Sequence, residues 1–289
     1  MIDLRDSIAT IRAQLEEGSS RNLTYAALEC RLALERICYE RLRAMHDYIS
    51  HDEIRWQPAR VIKILTEGVD PHVADTYTLS MSRHPLPNGL EPTREDYDAQ
   101  EYIKIGTQVG FKANYVQKLW NALSNVALHA NLPVNKADQV EAYGNAAKIR
   151  KQVEVALAEI ERIATSTMIS TGLGKEVKFE CLCGATNKRR MQCLPEGKIV
   201  SCINPECAET WDVEISDGEY EFARRGHDLE CLCGRTHFVT AASIEKMARH
   251  EWGTIPCDCG GKLLLRWSLN YAKVPPDSEQ AAPSEAAEG

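Results

Sequence analysis

The sequence predicts an α plus small-β protein, an N-terminal all-α helical bundle followed by two tandem four-cysteine zinc-ribbon modules. Three observations predict it. Apolar residues recur at helical spacing through the first ~170 residues. The tetrapeptide Cys-Leu-Cys-Gly occurs twice, at 181–184 and at 231–234. At Ser170-Thr171-Gly172-Leu173-Gly174 the helical period gives way to short segments separated by turns, the pattern of small sheets. The expected boundaries are 1–170 for the helical bundle, 175–224 for the first ribbon, 225–273 for the second and 274–289 for a disordered tail rich in Pro, Ala, Ser and Glu.

The helices are read in order. Asp3 is placed to cap a helix through about Glu17, with Ile8, Ile11 and Leu15 on one side and Gly18 ending it. A longer helix spans about Thr24–Ile49. Its stripe is Leu28, Leu32, Ile37, Leu42 and Met45, widened by Cys30, Leu34 and Cys38. Pro58 suits the first turn of a helix through Leu65, stopped by Gly68. Residues 83–93 hold Pro85, Pro87, Gly89 and Pro92 and read as a loop. Thr93 with Asp96 resembles a capping arrangement for a helix through about Ile105. A helix over about Asn114–Ala130 carries Val116, Leu119, Leu123, Val126 and Ala127, and a last one spans about Lys136–Met168, with Gly144 inside it. Beyond the linker, strands are expected near 177–180, 198–201, 211–215, 220–222 and 262–267, and Ser243 is placed to cap a helix from Ile244 to about Trp252.

Each Cys-Leu-Cys-Gly hook has a cysteine pair downstream. The first metal set would be Cys181, Cys183, Cys202 and Cys207 and the second Cys231, Cys233, Cys257 and Cys259, with pairing across the two repeats the alternative. Four thiolates on two turns suit a tetrahedral, closed, structural zinc ion, which leaves no open position for water or substrate. Two structural zinc ions are therefore the expected cofactors. An iron–sulfur cluster and redox thiols are the alternatives for the same ligands. Cys193 is the odd cysteine, read as a buried thiol with replacement of Cys202 or Cys207 as its alternative. His227 and His237 lie near the second hook. Cys30 and Cys38 read as core.

The chain has 289 residues and a net charge of −8, of which the last sixteen residues contribute four acidic groups and no basic ones. Bulk charge therefore gives no push towards nucleic acid. Local contacts would fall to Lys188, Arg189, Arg190, Arg224 and Arg225, with Trp211, Trp252 or Trp267 free to stack on bases. The N-terminus is charged within its first six residues, no apolar leader follows, and no apolar run reaches membrane-spanning length. A cytoplasmic location and no membrane association are expected, and clustered cysteines in that compartment bind metal more often than they form disulfides.

The segment Trp120-Asn121-Ala122-Leu123-Ser124-Asn125-Val126-Ala127-Leu128-His129-Ala130 resembles the motif segment of the HEPN superfamily, small helical bundles found in ribonucleases of toxin and defence systems. That motif is an arginine, then four to six residues, then a histidine, often with asparagine directly after the arginine. Asn125 and His129 match the asparagine and histidine, and Ser124 stands where the arginine would be. Tyr25–Glu35 resembles the long first-half helix of such bundles. The resemblance implies RNA association, a weak or degenerate ribonuclease with Asn125 and His129 as catalytic residues, and pairing into a homodimer. The departure at Ser124 removes the cation that would meet developing charge at the scissile phosphate. Arg41 and His46 also have the arginine–four–histidine spacing, in another helix. The second expectation, from a different class, is a non-enzymatic protein-interaction adaptor. In that case Asn125 makes an interhelical hydrogen bond and His129 sits against helix-terminal carbonyls.

Overall fold

The computed structural model describes residues 3–50, 54–85, 92–130, 135–137, 140, 143–170, 172–248 and 251–266. The expected tail, Trp267 and part of the 83–93 loop lie outside the described residues. The architecture is helices plus small antiparallel sheets. The chain divides into two compact units, Met1–Arg224 and Arg225–Gly289.

In the first unit, α1 (Arg5–Glu17), α2 (Ser20–Ala44), α3 (Pro58–Gly68), α5 (Ala113–Ala127) and α6 (Ala146–Ala164) share one core. Leu4 is the residue before α1, and Asp3 accepts a hydrogen bond from the Arg5 amide at 3.2 Å. Gly18 ends the helix in a left-handed conformation at φ 68°. α2 starts at Ser20, earlier than its apolar pattern suggested, because the Ser19 hydroxyl caps the Asn22 amide at 3.1 Å. Its buried face is Leu23, Ala26, Ala27, Cys30, Ala33, Leu34, Ile37, Cys38 and Arg41. Leu28 and Leu32, expected inside, are exposed. The small Ala26, Ala27, Cys30 and Ala33 let neighbouring helices approach closely, so packing chooses that face over the one with the larger leucines. Burial pushes the Cys30 and Cys38 thiols up to about 12, as suits core cysteines.

α6 begins ten residues later than expected, at Ala146, where the Asn145 side chain caps the Lys148 amide at 3.0 Å. Gly144 therefore precedes the helix, and a Cβ there would lie 2.3 Å from the Val126 carbonyl oxygen. Glycine is needed for that close backbone approach.

Sequence periodicity missed a hairpin. β1 (Tyr77–Ser82) pairs antiparallel with β2 (Tyr102–Gln108). Between them the Thr93–Asp96 capping box forms, but it starts only α4 (Arg94–Asp98), and the chain turns to strand before Ile105. The alternation in Tyr-Thr-Leu-Ser-Met-Ser and the β-branched residues of Tyr-Ile-Lys-Ile-Gly-Thr-Gln were the available signals.

The first cysteine-rich module belongs to this same unit. β3 (Glu176–Glu180) pairs with β4 (Thr186–Arg190), and β5 (Ile199–Ser201), β6 (Thr210–Ser216) and β7 (Glu219–Arg224) form a three-stranded sheet in that order. Phe179 meets Trp211 edge-on at 4.9 Å and stacks on Phe222 at 4.0 Å, over a core with Leu194, Val200 and Val213.

The second unit contains β8 (Gly226–Glu230) paired with β9 (Thr236–Thr240), α7 (Ala241–Glu245), and β10 (Trp252–Pro256) paired with β11 (Lys262–Arg266). α7 is capped by Thr240 rather than Ser243, and Trp252 lies in a strand rather than ending a helix. No helix of the described residues is long and apolar enough to cross a membrane.

Candidate metal centres

Three of the four hooks are built alike. The amides of Gly184, Gly234 and Gly260 donate to the carbonyls of Cys181, Cys231 and Cys257 at 2.8–2.9 Å. Those cysteine amides donate in turn to the carbonyls of Ala185, Arg235 and Gly261. Each glycine has a positive φ, 84°, 81° and 86°, which a residue with a side chain adopts at a cost. The Cys202–Cys207 hook is longer. There the Asn204 amide points at the Cys202 sulfur at 3.4 Å, and its side chain reaches Cys183 Sγ at 3.7 Å.

These turns assemble two groups of four sulfurs, Cys181, Cys183, Cys202 and Cys207, and Cys231, Cys233, Cys257 and Cys259, each with all members within 4.8 Å of one another. The closest pairs are 3.6 Å (Cys181–Cys207) and 3.7 Å (Cys183–Cys202, Cys231–Cys259 and Cys233–Cys257). A tetrahedron with metal–sulfur bonds of ~2.3 Å has edges of ~3.8 Å. The sets thus have the dimensions of a tetrathiolate metal site and are compatible with zinc ribbons, and four soft donors favour zinc over harder ions. The Ala185 amide beside Cys183 and the Gly261 amide beside Cys259 bring those two thiols down to about 7, and burial raises Cys181. Backbone amides aimed at sulfur stabilise the thiolate that a metal requires.

Sequence reading missed Asn187. It is fully buried, accepts from the Ile203 amide at 2.9 Å and directs its side-chain nitrogen at Cys202 Sγ, 3.9 Å away. It orients the long hook from outside the ligand set. Fifty residues on, the matching position is His237, whose Nε2 is buried without a hydrogen-bond partner among the described residues. Neither His237 nor Cys193 belongs to a tetrad; Cys193 is buried in a 3₁₀ turn over Met191–Cys193.

The expected nucleic-acid cations are engaged within the chain. Arg189 and Arg190, expected to contact nucleic acid, are only 4% and 7% exposed and lie in β4. Arg189 donates to Ser50 Oγ at 3.1 Å and to the Ser201 carbonyl at 2.6 Å; Ser50 Oγ donates to that same carbonyl. Arg190 lies over the Tyr48 ring at 4.5 Å and donates to the carbonyls of Gly172 and Gly174. Lys188 faces Asp47 at 3.5 Å. Strand β4 is therefore the polar seam by which the first module packs on the helices. Arg224 is bound bidentately by Glu209, and Arg225 lies 3.7 Å from Glu245. Replacing Arg189 with Ala is expected to lower stability by ~2–3 kcal/mol, since hydrogen bonds from a charged donor are lost inside the protein. Urea unfolding of the two proteins measures it.

Ser124, at the position of the motif arginine, is buried and donates back to the Trp120 carbonyl at 3.0 Å. Asn125 and His129 are exposed, and α5 ends at Ala127, so the helix that would set both on one face stops between them. Arg31 stacks over Trp120 at 3.8 Å, and the Trp120 indole donates to Glu35 at 2.7 Å. Arg41 is buried over Phe111 at 4.8 Å and donates to the Val109 carbonyl at 3.2 Å, its pKa lowered by burial.

Of the tryptophans expected to stack, Trp211 is buried. Trp252 is 61% exposed, with Arg266 over its ring at 5.4 Å. Compared with known proteins, the chain matches no family model and has no significant match to a curated protein or a solved structure.

Proposed function

We propose that the protein binds nucleic acid through its second cysteine-rich module, with two structural zinc ions holding the modules in shape. Closed tetrathiolate sites have no coordination position to offer a substrate, so zinc here supplies folding energy and rigidity. The carrying observation is the outer face of the β10–β11 hairpin. Its positions are Trp252, Thr254, Pro256, Lys262, Leu264 and Arg266, all exposed. It combines an aromatic platform with two cations and holds no carboxylate, within a protein that is acidic as a whole. Such a combination favours bases and phosphates.

The ribonuclease implied by the HEPN resemblance would depend on Asn125 and His129 without a motif arginine beside them. Ser124 carries no positive charge and its buried hydroxyl donates to the Trp120 carbonyl, while the Arg31 guanidinium lies over the Trp120 ring. We therefore place the protein's activity in binding. The test is binding of zinc-loaded protein to a fluorescent oligonucleotide across a salt series, with RNA cleavage followed in parallel for the parent and His129→Ala. Expected are affinity that falls linearly with salt on logarithmic axes and no cleavage lost in the variant. Absence of binding at low salt would overturn the proposal and turn the same face over to a protein partner. Metal-independent cleavage abolished by His129→Ala would restore the enzyme.

A further inference from the structure

We infer that the β10–β11 face takes single-stranded nucleic acid, an unpaired base stacking on Trp252 while Arg266 and Lys262 hold the phosphates. The inference rests on the nucleic-acid reading above and adds the strandedness of the ligand.

The hairpin has two unlike faces. On the inner one, Gly253, Ile255, Leu263 and Leu265 are partly covered, and Gly253 lies so close to Met247 that a Cβ there would meet Met247 Cε at 2.8 Å. On the outer one, the cross-strand pairs are Trp252–Arg266, Thr254–Leu264 and Pro256–Lys262. The inner contact with Met247 anchors the strand while the Trp252 indole and Leu264, both 61% exposed, face solvent. Arg266 and Lys262 stand on one strand four residues apart, a spacing of ~14 Å along an antiparallel strand.

A two-stranded ribbon can enter the major groove of a duplex, and reading base edges there takes hydrogen-bonding side chains along the ribbon. Here the positions between the two cations present an indole, a proline ring, a leucine and one threonine hydroxyl. These offer π surface and apolar contact, which a paired base keeps inside the stack. Reaching it in a duplex requires unstacking, at a cost of a few kcal/mol per step. An unpaired base brings its face ready for use.

The Arg266 guanidinium supplies the rest. It now rests over the indole as a cation–π partner. As a base arrives on the ring, this exposed side chain can turn to the adjoining phosphate, exchanging one contact with the indole for a charge-assisted hydrogen bond. No covalent step is involved. The five positively charged residues singled out from the sequence each have partners within their own unit.

The experiment is fluorescence anisotropy with zinc-loaded full-length protein and three probes: a twelve-nucleotide oligo-dT, the matching oligo-U, and a duplex of the same length. The variants are Trp252→Ala and Trp252→Phe, with zinc content measured for each. The expected result is binding of the single strands at least ~10-fold tighter than the duplex. Trp252→Ala should lose roughly 10-fold or more of that affinity and Trp252→Phe should recover most of it, as base–aromatic stacking does. Duplex binding equal to or tighter than single-strand binding would overturn the inference while leaving the nucleic-acid reading in place. So would undiminished single-strand binding by a Trp252→Ala variant that retains both zinc ions. Binding to none of the three probes would overturn both.

Discussion

Chelation is expected to unfold the second unit while the first keeps its helices. Among the described residues of the second unit, the only buried ones are Cys231 and Cys257, both members of its cysteine tetrad. Its strand side chains are exposed or partly covered, none of them buried among the described residues. A structural zinc contributes ~10–16 kcal/mol of apparent binding free energy at neutral pH, which in so small a module is folding free energy. The first tetrad is different. Cys181 and Cys202 sit in a core with Trp211, Leu194, Val200 and Val213. Ser201, next to Cys202, is tied to Ser50 and Arg189 through its carbonyl. A chelator titration followed by zinc release and amide hydrogen exchange should show two steps: loss of protection in residues 226–266 first, then loss in β3–β7. The helical circular dichroism should survive the first step. Cys257→Ser should reproduce that step genetically, giving one zinc per chain with the helices intact. Release of both ions in one transition, or melting of the helices with the first ion, would show that the two sites are not energetically separate.

Trp211→Ala is the second large effect. The indole is 6% exposed, meets Phe179 edge-on and lies on the central strand of β5–β6–β7. Truncating it removes a large apolar surface and leaves a cavity beside the first metal centre, costing ~3–5 kcal/mol. The denaturant midpoint should fall accordingly, and the first zinc should become easier to chelate. The same substitution at Trp252 removes an exposed indole and should change stability by within ~0.5 kcal/mol. The pair separates packing from the proposed binding: loss of stability is expected only at Trp211, and loss of binding without loss of stability at Trp252. Equal destabilisation by both would contradict the difference in their burial.

The cysteines of the tetrads were legible in the sequence because ligand chemistry is local. A thiolate pair on a glycine turn is visible as Cys-Leu-Cys-Gly, repeated fifty residues on, while which downstream cysteines complete each set was decided by the fold. One cap was legible for the same reason: Thr93–Asp96 closed as read, whereas Ser19, Asn145 and Thr240 cap where none was expected. What followed that cap was not, because five residues of helix carry too little periodicity to distinguish them from the strand beyond. Asn187 was also invisible, since an asparagine directed at a sulfur fifteen residues away leaves no pattern.

By itself, then, the sequence determined the eight cysteines of the tetrads, the run of short strands beyond residue 170 and the positions of most helices, all of which follow from short-range spacing and side-chain chemistry. Only the tertiary structure decided which polar residues are inside. Lys-Arg-Arg at 188–190 reads as a nucleic-acid contact, yet two of the three are buried because Ser50, Tyr48 and the Gly172 and Gly174 carbonyls meet their guanidinium groups. Likewise five tryptophans are equal in the sequence, and only packing buries Trp211 and leaves Trp252 exposed. Burial depends on what arrives from distant parts of the chain, and that information exists only once the chain has folded.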